Sequence, residues 1–153
     1  MIVKNVMTPN PITVKETDSL MTAAERMIDG DFSRLPVLSE AGKLVGILSE
    51  HDIAMAVGAP AVRPEDLTEA GLAEKKVRDY MTPDPVVVAP TTSIVRAAKL
   101  MRQYNIGGLP VTDHGELVGI VVESDLLDYF IELVEQGAST AEEWARKLSG
   151  GKA

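Results

Sequence analysis

The chain states one pattern twice. Residues 6–14 read VMTPNPITV and residues 80–88 read YMTPDPVVV, while GKLVGILSEHDI at 42–53 returns as GELVGIVVESDL at 115–126. Between these anchors, Ser19, Ala23, Ala24 and Met27 match Ser93, Ala97, Ala98 and Met101, and Leu35-Pro36-Val37 matches Leu109-Pro110-Val111. The offset is 74 residues at first and 73 later, which places a one-residue deletion near Asp113 in the second copy. A repeat of this kind means one structural unit built twice. Each copy is about 55–60 residues, marginal for an independent core, so the two are expected to share a core and fold as one body. Paired units also create paired clefts, and function is expected there.

Composition narrows the function. The 153 residues carry a net charge of −8, which disfavours nucleic acid as a partner. The chain has no cysteine, so disulfides, thiolate nucleophiles and Cys-ligated metals are excluded. No apolar run is long enough for a membrane span, and the opening MIVKNVMTP lacks a signal-peptide pattern. The expected location is the cytoplasm, with no membrane association.

Local patterns give the order of elements. In the first copy, PITV (11–14) reads as a strand. Thr17 or Asp18 is expected to cap a helix with Leu20, Ala23, Ala24, Met27 and Ile28 along one side, stopped by Gly30. RLPVL (34–38) and KLVGILS (43–49) form a hairpin around Glu40-Ala41-Gly42, and Glu50 or Asp52 opens a short helix through Met55. The second copy repeats this: strand PVVV (85–88), a helix capped by Thr92 and ended by Asn105, and a hairpin of GLPVT (108–112) and ELVGIVV (116–122). Ser124 or Asp125 then starts a last helix. The unit is β-α-β-β-α, written twice. The segment joining the copies reads as a surface linker, broken at Gly71. The polar tail is expected to form a short helix, with Ser139 and Glu142, or Thr140 and Glu143, as a capping box.

These four stretches in this order, occurring twice, resemble the CBS domain, named after cystathionine β-synthase, in the tandem pair often called a Bateman module. The resemblance covers about residues 4–130. It implies an α+β fold in which two β-α-β-β-α units pack through their sheets with pseudo-two-fold symmetry. The corresponding division is residues 4–57 for the first unit, 58–77 for a linker, 78–130 for the second unit and 131–153 for a helical tail. It further implies a regulatory or sensor role: an adenine nucleotide or adenosyl ligand (AMP, ADP, ATP, S-adenosylmethionine or an NAD-like compound) bound between the units. A homodimer formed through helix faces at 18–29 and 92–103 is implied as well, together with a regulated protein partner.

The chemistry of such a site can be stated from the residues. A carboxylate fixed at a helix start, as expected for Asp52 and Asp125, can accept from both hydroxyls of a ribose. Backbone N–H groups at the same helix start suit phosphate. The resemblance places a hydroxyl three residues before each carboxylate. Ser49 supplies it in the first copy, whereas Val122 stands there in the second and leaves Ser124 as a displaced substitute. It also implies that each cleft mixes the copies. Asp52 and Ser49 are expected to share one cleft with Val86, Val87, Ile106, Gly107 and Gly108. Asp125 is expected to share the other with Ile12, Thr13, Ser33 and Arg34, the last a cation for phosphate.

Blander roles compete at several positions. Asp52 and Asp125 suit helix capping, which is worth about 1 kcal/mol. Thr8-Pro9 and Thr82-Pro83 suit turns. His51 and His114 fall at different repeat positions and do not suggest a metal site. Neither a nucleophile–base pair nor a P-loop appears, so no enzyme is expected and no cofactor beyond the regulatory ligand. The competing function is a dimerisation or interaction module with vestigial clefts.

Overall fold

Two sheets hold the fold, and each borrows a strand from the other repeat. The structure is a computed structural model that describes residues 1–58 and 71–150. In chain order the elements are β1 (Thr8–Pro9), β2 (Val14–Lys15), α1 (Leu20–Gly30), β3 (Arg34–Leu38), β4 (Leu44–Ser49), α2 (Glu50–Val57), β5 (Thr82–Pro83), α3 (Ile94–Tyr104), β6 (Gly108–Asp113), β7 (Glu116–Val122) and α4 (Glu123–Gly150). One sheet has the order β2-β3-β4-β5 and the other β1-β7-β6. β5, at the start of the second repeat, pairs antiparallel with β4 of the first, and β1 pairs in the same way with β7. The architecture is α+β, with two related β-α-β-β-α units.

The exchange extends into the cores. The first cluster gathers Leu20, Ala23, Ala24 and Met27 of α1 with Leu35, Val37, Leu48 and Ile53, and it also takes Leu72 and Val77 from beyond the first repeat. The second gathers Ala97, Leu100 and Met101 of α3 with Leu109, Val111 and Val121, and takes Val3 from the chain start. Instead of one shared core there are two, each closed by a segment from outside its own repeat. The joining segment is therefore not a surface linker throughout, because Leu72 and Val77 are fully buried. Residues 59–70 lie outside the described residues.

Helix starts differ from the sequence expectation by one or two residues. Ser19 caps α1, its Oγ accepting from the Thr22 N–H at 3.1 Å, and Ser93 caps α3 through the Arg96 N–H at 3.0 Å. Thr17 bonds Glu40 instead, Asp18 accepts from the Lys15 N–H, and Thr92 accepts from the Ala89 N–H. These three residues build the turn before the helix. At the far ends, α1 runs through Gly30 and stops at Asp31, and α3 stops at Asn105, both left-handed with φ of 55° and 52°. α2 runs from Glu50 to Val57, beyond Met55, with Ser49 as its cap. The expected strand at 85–88 is reduced to a single bridge between Val88 and Val111. Pro85 has no N–H to give a ladder. Only Val14 and Lys15 pair from the equivalent stretch of the first repeat. The tail is no separate short helix: α4 is continuous for 28 residues and begins at Glu123, so no helix starts at 139–143.

Candidate functional site

The ends of the two hairpins converge on a seam with a cleft on each side. At the β4–α2 junction, Ser49 and Asp52 cap each other. The Ser49 N–H donates to Asp52 Oδ2 at 2.8 Å, and the Asp52 N–H donates to Ser49 Oγ at 3.1 Å. This reciprocal box fixes both side chains and satisfies two backbone donors. It leaves Asp52 Oδ1 without a hydrogen bond among the described residues, and it leaves the Ser49 hydroxyl hydrogen free to donate outward. Capping thus leaves one carboxylate oxygen and one hydroxyl hydrogen of these side chains uncommitted.

The β7–α4 junction repeats half of this. The Val122 N–H donates to Asp125 Oδ2 at 2.8 Å, but Val122 has no hydroxyl to return a bond. Burial lifts the Asp125 carboxyl above the ordinary carboxylate range. The Val122 N–H opposes that rise and the neighbouring Asp128 adds to it. Both helix starts are tied to the residue just before the first strand of their own hairpin. The Glu50 N–H bonds the Ser33 carbonyl at 2.8 Å, and the Glu123 N–H bonds the Gly107 carbonyl at 3.0 Å.

The first cleft, of about 440 Å³, brings Ser49 and Asp52 together with Val86, Ile106, Gly107 and Gly108 of the other repeat. The second, of about 710 Å³, brings Ser124 and Asp125 together with Ile12, Ser33 and Arg34. The sequence-predicted mixing of repeats is therefore what the geometry presents. Two expected residues stand apart. Val87 is exposed and outside the Asp52 cleft, and Thr13 lines a separate shallow depression, where its carbonyl accepts from Arg26. Arg34, expected in the Asp125 cleft alone, lines both.

Sequence reasoning left out several lining groups. Phe32 and Leu127 add apolar surface beside Asp125, and Tyr104 lies beside Asp52. Thr8 and Thr82, read mainly as turn residues, line one cleft each. Asn10 and Asp84 do so as well, both at φ 47°. Their signal was present in TPNP and TPDP: Asn and Asp tolerate the left-handed region, and a strained residue repeated in both copies marks a shaped edge. No cluster of metal-binding side chains occurs among the described residues. No helix among them is long and apolar enough to cross a membrane.

Comparison with known proteins places this geometry in a family. The sequence profile of the CBS domain matches residues 3–59 and again residues 77–132. A CBS domain-containing protein of Dictyostelium discoideum is 37% identical over 137 residues, spanning 88% of this chain and 94% of its own length. Among solved structures, a CBS domain pair in complex with 5-methylthioadenosine and S-adenosyl-L-methionine superposes with a TM-score of 0.72 at 31% identity, covering 85% of this chain and 95% of the other. CBSX2 in complex with AMP does so with a TM-score of 0.72 at 29% identity, covering 86% of this chain and 97% of the other. With both repeats matched in sequence and both superposed in space, the chain belongs to the CBS domain family as a tandem pair.

Proposed function

We propose that the chain is a regulatory module that binds an adenine nucleotide or adenosyl compound in its two inter-repeat clefts. The units involved are residues 4–57 and 78–130, joined by 58–77 and followed by 131–153. The observation that carries the reading is the pair of carboxylates, Asp52 and Asp125, each held at a helix start through one oxygen and each lining a cleft walled by the other repeat. A carboxylate so fixed accepts from a ribose diol with little ordering cost. Val86 and Ile106 on one side, and Ile12 and Ser33 on the other, supply the surroundings for a base, while Thr13 lies apart in its own depression. Val87 joins the first group only if its backbone shifts inward. Ser49, Ser124 and Arg34 supply donors for phosphate or ribose. The solved relatives bound to S-adenosyl-L-methionine and to AMP support this ligand class. Because each cleft spans two repeats, a ligand favours one arrangement of them, and that preference is the regulatory output.

Isothermal calorimetry with AMP, ADP, ATP, S-adenosylmethionine and NAD tests the reading. Saturable heat with at least one, lost in the Asp52→Ala, Asp125→Ala double variant, is the expected result. Absence of heat with all five rejects it.

A second reading, a ligand-independent dimerisation module, draws on Val122 in place of the hydroxyl and on apolar side chains left exposed along the helices: Val95 on α3, and Leu127, Phe130, Ile131 and Val134 on α4. A homodimer is part of both readings. A dimer unchanged by ligand and by loss of both carboxylates favours the second, as does partner binding that persists in that variant.

A further inference from the structure

The two repeats differ at one matched pair of positions beside the clefts. Ser33-Arg34 in the first corresponds to Gly107-Gly108 in the second. Arg34 leaves β3 and lays its side chain across those glycines. A Cβ added at Gly107 would fall 2.6 Å from the Arg34 Cζ, and one at Gly108 would fall 2.8 Å from its Cδ. A side chain at either position would push the Arg34 side chain aside, so the glycines form a shelf on which the guanidinium rests. The Arg34 side chain makes no hydrogen bond or ion pair among the described residues. It is also the one lysine or arginine among the described residues lining either cleft. Acids line both: Asp52 and Asp84 beside one, and Asp31, Glu123 and Asp125 beside the other.

Building on the adenosine reading, we propose that Arg34, the one Lys or Arg lining either cleft among the described residues, is committed to the Asp52 cleft, so that a phosphate binds there and not in the Asp125 cleft. Its seat on Gly107-Gly108 directs the phosphate to the Asp52 cleft. The Asp125 cleft is left for an adenosyl ligand without negative charge. The reasoning is electrostatic. A phosphate needs donors or a cation to replace its water, and a guanidinium meets it with a fork of N–H groups. The Asp52 cleft offers that fork, the Ser49 hydroxyl and the imidazole of His51. The Asp125 cleft has Val122 at the hydroxyl position and three carboxylates in its wall. Once Arg34 is engaged by a phosphate on the other side, an anion there meets net negative charge.

Calorimetry with AMP and with adenosine separates the terms. Asp125→Ala leaves the Asp52 cleft to report alone, and Asp52→Ala leaves the other. In Asp125→Ala protein, AMP is expected to bind about 10- to 100-fold more tightly than adenosine, the value of a charge-assisted hydrogen bond. That ratio should fall to near one on adding Arg34→Gln. In Asp52→Ala protein the ratio is near one with or without Arg34. Gly107→Ala provides an independent check, because the new methyl displaces a flexible side chain rather than backbone. It should lower the ratio in the Asp52 cleft as Arg34→Gln does. In the unaltered chain, one AMP should bind tightly and a second at least tenfold more weakly, while adenosine fills both clefts without such a gap. An AMP preference that survives Arg34→Gln, or one that resides in the Asp125 cleft, overturns the assignment while leaving the adenosine reading intact. No binding of either compound overturns both.

Discussion

Asp52 caps its helix and, under the proposed function, holds a ribose, and substitution can separate the two roles. Its Oδ2 caps α2 through the Ser49 N–H, and the residue lines the cleft with its other oxygen unbonded among the described residues. Asp52→Ala removes both and should lower stability by about 1 kcal/mol. Asp52→Asn keeps an acceptor for the Ser49 N–H and drops the charge. The asparagine variant should therefore melt within a degree or two of the unaltered protein, yet bind adenosine in that cleft at least tenfold more weakly. Equal losses of binding and melting temperature in the two variants would make the residue a cap alone. Asp125 carries a pH signature. Its carboxyl is raised above the ordinary value, chiefly by burial, so the folded protein holds that proton more tightly than the unfolded chain. Stability is then lost as pH rises from the unfolded value through the folded one, and the deficit persists at neutral pH. Asp125→Asn, which cannot ionise, should melt higher at neutral pH, and the gain should vanish near about pH 3, where the carboxyl is protonated in both states. Thermal melts at the two pH values check the sign. Both carboxylates were legible from sequence because they recur in matched motifs. The double reach of Arg34 was not, since its path is set by glycines more than 70 residues away.

The strands that cross between repeats depend on small residues. Gly46 on β4 faces Met81 and the Thr82 carbonyl, where an added Cβ would lie 2.6 Å and 2.9 Å away. Gly119 on β7 has the matching environment, 2.6 Å from Met7 Sδ and 3.0 Å from the Thr8 carbonyl. A methyl there forces apart β4 and β5, or β7 and β1. Gly46→Ala and Gly119→Ala should each cost about 1–3 kcal/mol, as overpacking does, readable as a lower denaturant midpoint. A cost below about 0.5 kcal/mol, the range of ordinary surface changes, would mean that the crossing strands contribute little. The hairpins β3–β4 and β6–β7 stood out in the sequence because alternation and polar turns are local signals. The short strands β1 and β5 did not, because two-residue pairings have no period to detect, and the strand read at 11–14 pairs only through Val14, with Lys15 beside it. Helix starts were placed within a residue or two. The choice of Ser19 over Thr17 and Asp18 turns on which oxygen faces the first free N–H groups, and the polar partners of the other two lie outside the helix.

The two cores exchange segments, and that arrangement predicts how the molecule unfolds. Leu72 and Val77 follow the first repeat's last helix and bury themselves against α1, and Val3 precedes everything and buries itself against α3. The backbone follows the same plan, with the Leu20 N–H bonded to the Lys75 carbonyl and the Val3 N–H bonded to the Thr92 carbonyl. Nothing in the local sequence announces this, because a lone Leu or Val outside a periodic stretch carries no sign of its partner. The repeat predicted two units, but their interlocking follows from β1 and β5 lying against the opposite sheet. Neither half can then melt without withdrawing a closing segment from the other. Leu72→Ala opens a cavity in the first core and should cost about 2–5 kcal/mol. Its more telling effect concerns cooperativity. Denaturation followed at once by far-ultraviolet circular dichroism and by the amide signals of β6 and β7 should give coincident transitions, shifted together by the substitution, although β6 and β7 belong to the core that Leu72 does not touch. A transition in which the first unit melts early while β6 and β7 keep their original midpoint would mean that the halves are independent bodies joined by a strap. A ligand held between them would then have no mechanical route from one repeat to the other.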